Sequence, residues 1–171
     1  MKSREILHST IADLQTIYGL FDLSVDYQKA RGYPDWKHYD QNAIRRDIDA
    51  GDHYKICIDH KIAMVFSVRY ADKVIWRDRD RGDAIYLHRI VVNQDFKGQR
   101  LFGDILAWAA NHCKRKGLAT VRMDTWANNP NLINYYKGFG FEFVENFTTP
   151  DSPELPSHNR KLALALLEYK L

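Results

Sequence analysis

Hydrophobic and polar positions follow two rhythms along this chain, and the changes of rhythm predict its elements. Ile11, Leu14, Ile17, Tyr18 and Phe21 recur at helical spacing, so the first helix carries a core-facing stripe. Ser9 or Thr10 supplies the N-cap, and residues 3–8 before it read as a short first strand. Gly32, Pro34, Trp36 and Tyr39 then break the helix in an aromatic loop over residues 31–39, which alone reads as a small hydrophobic cluster. Residues 41–50 form a second short helix, with Gly51 placed for a left-handed C-cap. Residues 53–58 and 61–69 predict a hairpin turning at Asp59-His60. Residues 74–76 extend the second of these strands, and the alternating charges of 77–83 form a solvated loop.

The remainder is organised around residues 83–143, read as strand, turn, helix, strand, helix, strand. The strand ending in Ile90, Val91 and Val92 breaks at Asn93, and helical periodicity resumes after Lys97-Gly98. Leu101, Ile105, Leu106, Trp108 and Ala109 form the inner side of that helix. Lys114, Arg115 and Lys116 in its last turn, with Gly117 after it, need no ligand, because cations suit the negative helix end. Residues 118–126 are the next strand, 129–136 a helix and 137–143 the start of a further strand. A three-proline loop over 148–157 leads to residues 161–171, an apolar stretch that leaves strand and helix open, since Leu and Ala favour helices.

Length changes the picture first: 171 residues suit one domain, spanning 1–171, with a single core. Hydrophobic residues at 45% and charged residues at 27% set the chain apart from disordered sequences. A formal net charge of +3 gives no nucleic-acid footprint. Cys57 and Cys113 form neither a Cys-x-x-Cys pair nor a disulfide framework, which suits a reducing cytoplasm. No apolar run reaches the length of a membrane span and the N-terminus lacks a signal peptide's apolar core, so the chain is expected to be cytoplasmic and without a membrane partner. The histidines at 8, 38, 53, 60, 88, 112 and 158 lack the spacing of a zinc pair, so no metal is expected.

The turn after Val92 carries the candidate chemistry. A strand–turn–helix junction aims free backbone N–H groups along a helix dipole, which suits a phosphate or pyrophosphate. Neither the Walker loop nor the Rossmann glycine pattern fits. However, Val92-Asn-Gln-Asp-Phe-Lys97-Gly-Gln-Arg100-Leu-Phe102-Gly103 resembles the acyl-CoA loop of the GCN5-related N-acetyltransferases, Arg/Gln-x-x-Gly-x-Gly/Ala after a strand end. Asn129-x-x-Leu132-x-x-x-Tyr136-x-x-x-Gly140-Phe141 resembles that family's second element, Asn-x-x-Ala-x-x-x-Tyr-x-x-x-Gly-Phe. The loop departs from the pattern with Lys97 for Arg or Gln, Arg100 for the first Gly and Phe102 for the second Gly or Ala. Arg100 can point outward, and Phe102 can turn into the core.

The resemblance implies an α/β GNAT-like fold, with a mixed, mostly antiparallel sheet flanked by helices and residues 161–171 as its last strand. It also implies transfer of an acetyl group from acetyl-CoA to a primary amine within a ternary complex, by a monomer or homodimer. The cofactor-binding positions it implies are Ile90 and Val92, whose backbone would pair with the pantetheine arm, the loop Lys97, Gly98, Gln99, Arg100, Leu101, Phe102 and Gly103, and Asn129 and Tyr136. Tyr136 occupies the position that protonates the departing sulfur. Trp36 lies in the connection that folds over the acceptor in that family.

His88 is the candidate base: period-2 alternation puts it on one face with Tyr86 and Ile90, and imidazole has the right intrinsic pKa. Tyr86 is a candidate to order a water there, and Asp124 and Trp126, near the end of their strand, to contact the acceptor. Two other classes compete with the enzyme: a non-catalytic acyl-CoA-binding module, and an interaction domain for RNA or protein. The second lacks the aromatic-basic motif of an RNA-binding sheet.

Overall fold

The computed structural model describes residues 3–33, 39–155 and 159–171. Trp36, a candidate acceptor contact, lies outside the described residues. Seven strands hydrogen-bond in the order β1-β2-β3-β4-β5-β7-β6: Arg4–His8, His53–Ile58, Lys61–Arg69, Ala84–Val92, Thr120–Trp126, Glu142–Thr148 (β6) and Ala163–Lys170 (β7). The helices are α1 (Leu14–Ala30), α2 (Gln41–Asp49), a single turn α3 (Lys73–Trp76), α4 (Phe102–Lys116) and α5 (Pro130–Lys137). The sheet is mixed and mostly antiparallel, with β4 and β5 parallel from Ala84 opposite Thr120 to Leu87 opposite Met123. No helix among the described residues is long and apolar enough to cross a membrane.

The chain groups into two compact units: Met1–Val68 with His88–Trp108, and Arg69–Leu87 with Ala109–Leu171. In the first, α1 and α2 pack Leu14, Ile17, Leu20, Phe21, Ile44 and Ile48 against Val65 and Val91. Ile11, expected in this stripe, is exposed: a 3-10 turn over Ile11–Asp13 precedes α1, and the Asp13 carboxylate accepts from the Thr10 N–H (2.7 Å) and hydroxyl (3.0 Å). The turn rotates Ile11 off the buried face, and Leu20 fills the stripe instead. The β2–β3 hairpin turns at Asp59 and His60, both left-handed (φ 49° and 65°), as a two-residue hairpin turn requires.

The second unit corrects two expectations. Residues 74–76 do not extend β3; they form α3, whose first turn is capped by the Asp72 carboxylate accepting from Ile75 N–H at 3.4 Å. A β-branched pair suggested a strand, yet a local cap and burial of Trp76 against Tyr86, Leu164 and Leu166 outweigh that propensity. Nor is 77–83 simply a solvated loop: it begins as a 3-10 turn over Arg77–Arg79, and Asp80 is buried, accepting from the Tyr86 hydroxyl (2.8 Å) and the Asp72 N–H (3.0 Å). Residues 163–170 are strand because β7 is flanked on both edges, by β5 and β6, and Leu164–Leu167 are buried there. Pairing on both sides overrides the helical preference of Leu and Ala.

Candidate active site

The cofactor-loop positions lie in the first unit. Asn93 anchors the loop: its N–H donates to Ala63 O (2.9 Å), its side-chain amide to Ile62 O (2.9 Å), and its Oδ1 accepts from Asp95 N–H (3.1 Å). Two of these bonds reach β3, which adjacent sequence does not reveal, and the third closes a local turn. A 3-10 turn (Gln94–Phe96) then seats Phe96 in the interior. Gly98 is left-handed (φ 83°), and a Cβ there would meet nothing within 4 Å, so the glycine serves backbone conformation rather than close packing.

Arg100 decides how the loop relates to the family pattern. It stands where the pattern has its first glycine and adopts φ 54°. A left-handed non-glycine residue costs roughly 1–2 kcal/mol, so the glycine-type conformation persists here without the glycine. Phe102 is fully buried at the start of α4, with Leu101 beside it. Its bulk is thus directed into the interior.

The loop's backbone donors divide into two groups. Gln99 N–H donates to Phe96 O (3.4 Å) and Gly103 N–H to Arg100 O (3.0 Å). Among the described residues, no turn carbonyl accepts from the N–H of Gly98 or Leu101. Donors of this kind just ahead of a helix fit a pyrophosphate. The Lys97 ammonium contacts the Tyr27 hydroxyl and lies 4.0 Å from that ring's centroid, with the Arg31 guanidinium 3.7 Å from the same centroid.

Ile90, Val92 and His88 lie on β4, all half-buried. Between His88 and Ile90 stands Arg89 at φ 51°. A left-handed residue inside a strand is bulge-like and interrupts side-chain alternation, so the two-residue period that grouped His88 with Ile90 does not run through this point. Arg89 Nη1 donates to Asp47 Oδ2 at 2.7 Å, from α2. Close by in charge terms is His53, fully buried with Nδ1 2.8 Å from Ser9 Oγ; burial lowers its pKa to about 4, which Asp47 opposes and Arg89 reinforces.

The other candidates lie in the second unit. Asn129 caps α5, its Oδ1 accepting from Leu132 N–H at 3.1 Å, with Pro130 following at the first helical position. Tyr136, on α5, is buried with its ring 5.3 Å from Tyr135 and 6.4 Å from Phe141, both edge-on. Burial pushes its phenol above the usual tyrosine range, and Tyr135 and Asp124 push it the same way. It therefore holds its proton throughout the neutral range. Gly140 has φ 99°, and a Cβ there would stand 3.1 Å from Tyr169 Cε2, so both conformation and space call for glycine.

The residues put forward for the acceptor have strong structural ties. The fully buried Tyr86 donates to Asp80 and accepts from Arg122 Nη1 at 3.2 Å; burial and Asp80 raise its pKa, against the opposing pull of Arg122. Trp126 packs on the cluster of Trp76, Ala84, Tyr86, Leu164 and Leu166, and Asp124 lies opposite Leu166 on β7. Arg122, which the sequence did not single out, is the hub: it also donates to Glu168 (2.7 Å), Arg79 O (2.7 Å) and Asp83 (3.2 Å). A lone basic residue in an apolar strand was its only sequence signal.

The pattern of the "Acetyltransferase (GNAT) family" matches residues 19–141. The chain belongs to this family. It is 29% identical over 140 residues to the uncharacterized N-acetyltransferase YesJ of Bacillus subtilis (strain 168), covering 77% of this chain and 78% of that protein. Its fold is similar to a GNAT-family acetyltransferase from Listeria monocytogenes (TM-score 0.79, 20% identity, all of both chains covered). It is also similar to the PaiA N-acetyltransferase of Thermoplasma acidophilum, solved in complex with coenzyme A (TM-score 0.72, 16% identity, 99% of each chain).

Proposed function

We propose that this protein transfers an acetyl group from acetyl-CoA directly to a primary amine on an acceptor, in the cytoplasm and without a metal ion. The observation that carries the reading is Arg100: the loop keeps a left-handed residue at the family's glycine position even though the glycine is gone. That conformation has a cost, and a backbone that binds the pyrophosphate is a reason for it to persist. The N–H groups of Gly98 and Leu101, with the start of α4, would hold the pyrophosphate. The backbone of Ile90 and Val92 would hold the pantetheine arm in the manner of an added strand. Asn129 retains its side-chain NH₂ for an amide carbonyl while its oxygen caps α5.

Tyr136 is proposed to donate a proton to the departing sulfur, consistent with a buried phenol that stays protonated. His88 is proposed as the base, acting directly or through a water. An alkyl amine of pKa about 10.4 is neutral only about once in a thousand molecules near pH 7.4, a deficit of roughly 4 kcal/mol, so a base at this position has work to do. Trp36, Tyr86, Asp124 and Trp126 are proposed to border the acceptor, Tyr86 through a position fixed by Asp80 and Arg122.

The test is thiol release from acetyl-CoA across a panel of amines, with thermal melts at millimolar acetyl-CoA and CoA alongside. A ligand that binds the folded state must raise the melting temperature. A thermal shift with amine-dependent thiol release supports the enzyme. A shift without release for any amine supports an acyl-CoA-binding module instead, and no shift at all removes the cofactor assignment.

A further inference from the structure

We infer that Asp47 and Arg89 form a positioning pair that holds the left-handed kink of β4, and through it the backbone from His88 to Val92, in the shape used by the acyl thioester. The functional half of this inference rests on the acetyltransfer reading above; the mechanical half does not. Arg89 is a long-chain residue at φ 51° in the middle of a strand. Such a conformation costs on the order of 1–3 kcal/mol and survives only where surrounding contacts over-determine it. The contact here is specific: Arg89 Nη1 to Asp47 Oδ2 at 2.7 Å, with the carboxylate almost wholly buried and the guanidinium about two-thirds buried.

Asp47 is out of place by the ordinary logic of α2. The helix buries Ala43, Ile44 and Ile48, and Asp47 stands on the same face among them. A carboxylate in that position is costly unless paired, and an aliphatic residue there would serve packing better. His53 does not compete as a cation: burial keeps it neutral near pH 7, and its Nδ1 is taken by Ser9. The carboxylate meets β4 at Arg89, whose guanidinium donates to it. A charged hydrogen bond at this point fixes where the arginine side chain leaves the strand, and hence the φ that directs it there. His88 and Ile90, the residues on either side, are the proposed base and one of the proposed pantetheine contacts.

The test compares Asp47→Asn with the double variant Asp47→Asn/Arg89→Gly. Asparagine keeps the shape and removes the charge; glycine adopts the left-handed conformation without strain. Three readouts are taken: amide hydrogen exchange of residues 88–92, kcat and KM for acetyl-CoA, and acetyl-CoA affinity by calorimetry. Asp47→Asn is expected to speed exchange at 88–92 at least tenfold, with residues 164–167 of β7 unchanged, and to lower kcat/KM for acetyl-CoA at least tenfold in the folded protein. The double variant should recover most of both losses. A merely structural ion pair would lower the melting temperature but leave kcat and KM of the folded fraction unchanged, and glycine would restore nothing; that result overturns the inference. Should Asp47→Asn fail to fold, a folded and active double variant supports the pair, and a double variant that also fails to fold overturns it. If the wild type itself neither binds nor consumes acetyl-CoA, the acetyltransfer reading and the functional half fall together, and exchange at 88–92 still decides the mechanical half.

Discussion

The turn from Asn93 to Gly103 and the segment from Asn129 to Phe141 bear the same family's signature in opposite ways. In the turn, the letters have drifted at 97, 100 and 102, yet the backbone keeps left-handed residues at Gly98 and Arg100 and α4 follows directly. In the segment, Asn129, Tyr136, Gly140 and Phe141 all match, but each has a structural duty as well: a cap, an aromatic contact, a tight turn and a buried ring. A site that uses main-chain N–H groups tolerates side-chain change wherever the conformation survives. A site that uses a side-chain hydroxyl or amide does not, and there a matching letter has to be separated from its packing role by experiment.

Tyr136→Phe gives the largest expected effect and tests the side-chain half of this contrast. The ring contacts remain and the only proton donor at that position is removed, so kcat should fall by about 10²–10⁴ with acetyl-CoA affinity little changed. A melt must accompany the kinetics, because a buried partner left unpaired can cost about 1–3 kcal/mol and imitate inactivation. Turnover of the folded variant at the wild-type rate would reduce Tyr136 to a core aromatic, and loss of affinity alone would make it a binding contact.

Arg100→Glu tests the main-chain half with a charge. Set beside an anion-binding backbone, the carboxylate should weaken acetyl-CoA binding by about tenfold, equivalent to roughly 1.4 kcal/mol, and by less at high salt. Titration calorimetry at two salt concentrations measures it; unchanged affinity would move the pyrophosphate away from this loop.

Asn129 separates capping from binding. Asn129→Asp keeps an acceptor for Leu132 N–H and should retain stability, whereas Asn129→Ala should lose about 1 kcal/mol in denaturant melts. If both variants lose acetyl-CoA affinity, the NH₂ group is a ligand contact; if affinity follows the cap alone, Asn129 shapes the helix start and nothing more.

The smallest effect is expected from Arg100→Gly, which removes a left-handed non-glycine residue. It should raise stability by up to about 1 kcal/mol, after the greater freedom of glycine in the unfolded chain is subtracted, and keep acetyl-CoA binding within a fewfold. A severe loss of binding from both Gly and Glu at 100 would make the arginine a specific ligand and dissolve the contrast.

Much of the architecture was legible because its signals are local. The hairpin at Asp59-His60, the helix end at Gly51 and the amphipathic face of α4 depend on neighbours within a few residues. The failures share a cause. Ile11 carries the right letter for the α1 stripe but is rotated away by a 3-10 turn that Thr10 and Asp13 close. Val74-Ile75-Trp76 has strand composition, but Asp72 caps it as a helical turn and Trp76 finds its cavity against β4 and β7.

The sequence by itself determined which segments would be strands and helices over most of the chain and which family pattern it follows, because periodicity, caps and motif spacing are one-dimensional. Tertiary structure alone decided what the buried polar groups do. Asp47 and Arg89 are 42 residues apart, and Arg122 is 46 from Glu168 and 36 from Tyr86; no spacing rule pairs them, since each is brought to its partner by sheet pairing or helix packing. The same holds for the left-handed residues at 89 and 100. An arginine in sequence carries no mark of positive φ, and only the contacts around it can make that conformation the stable one.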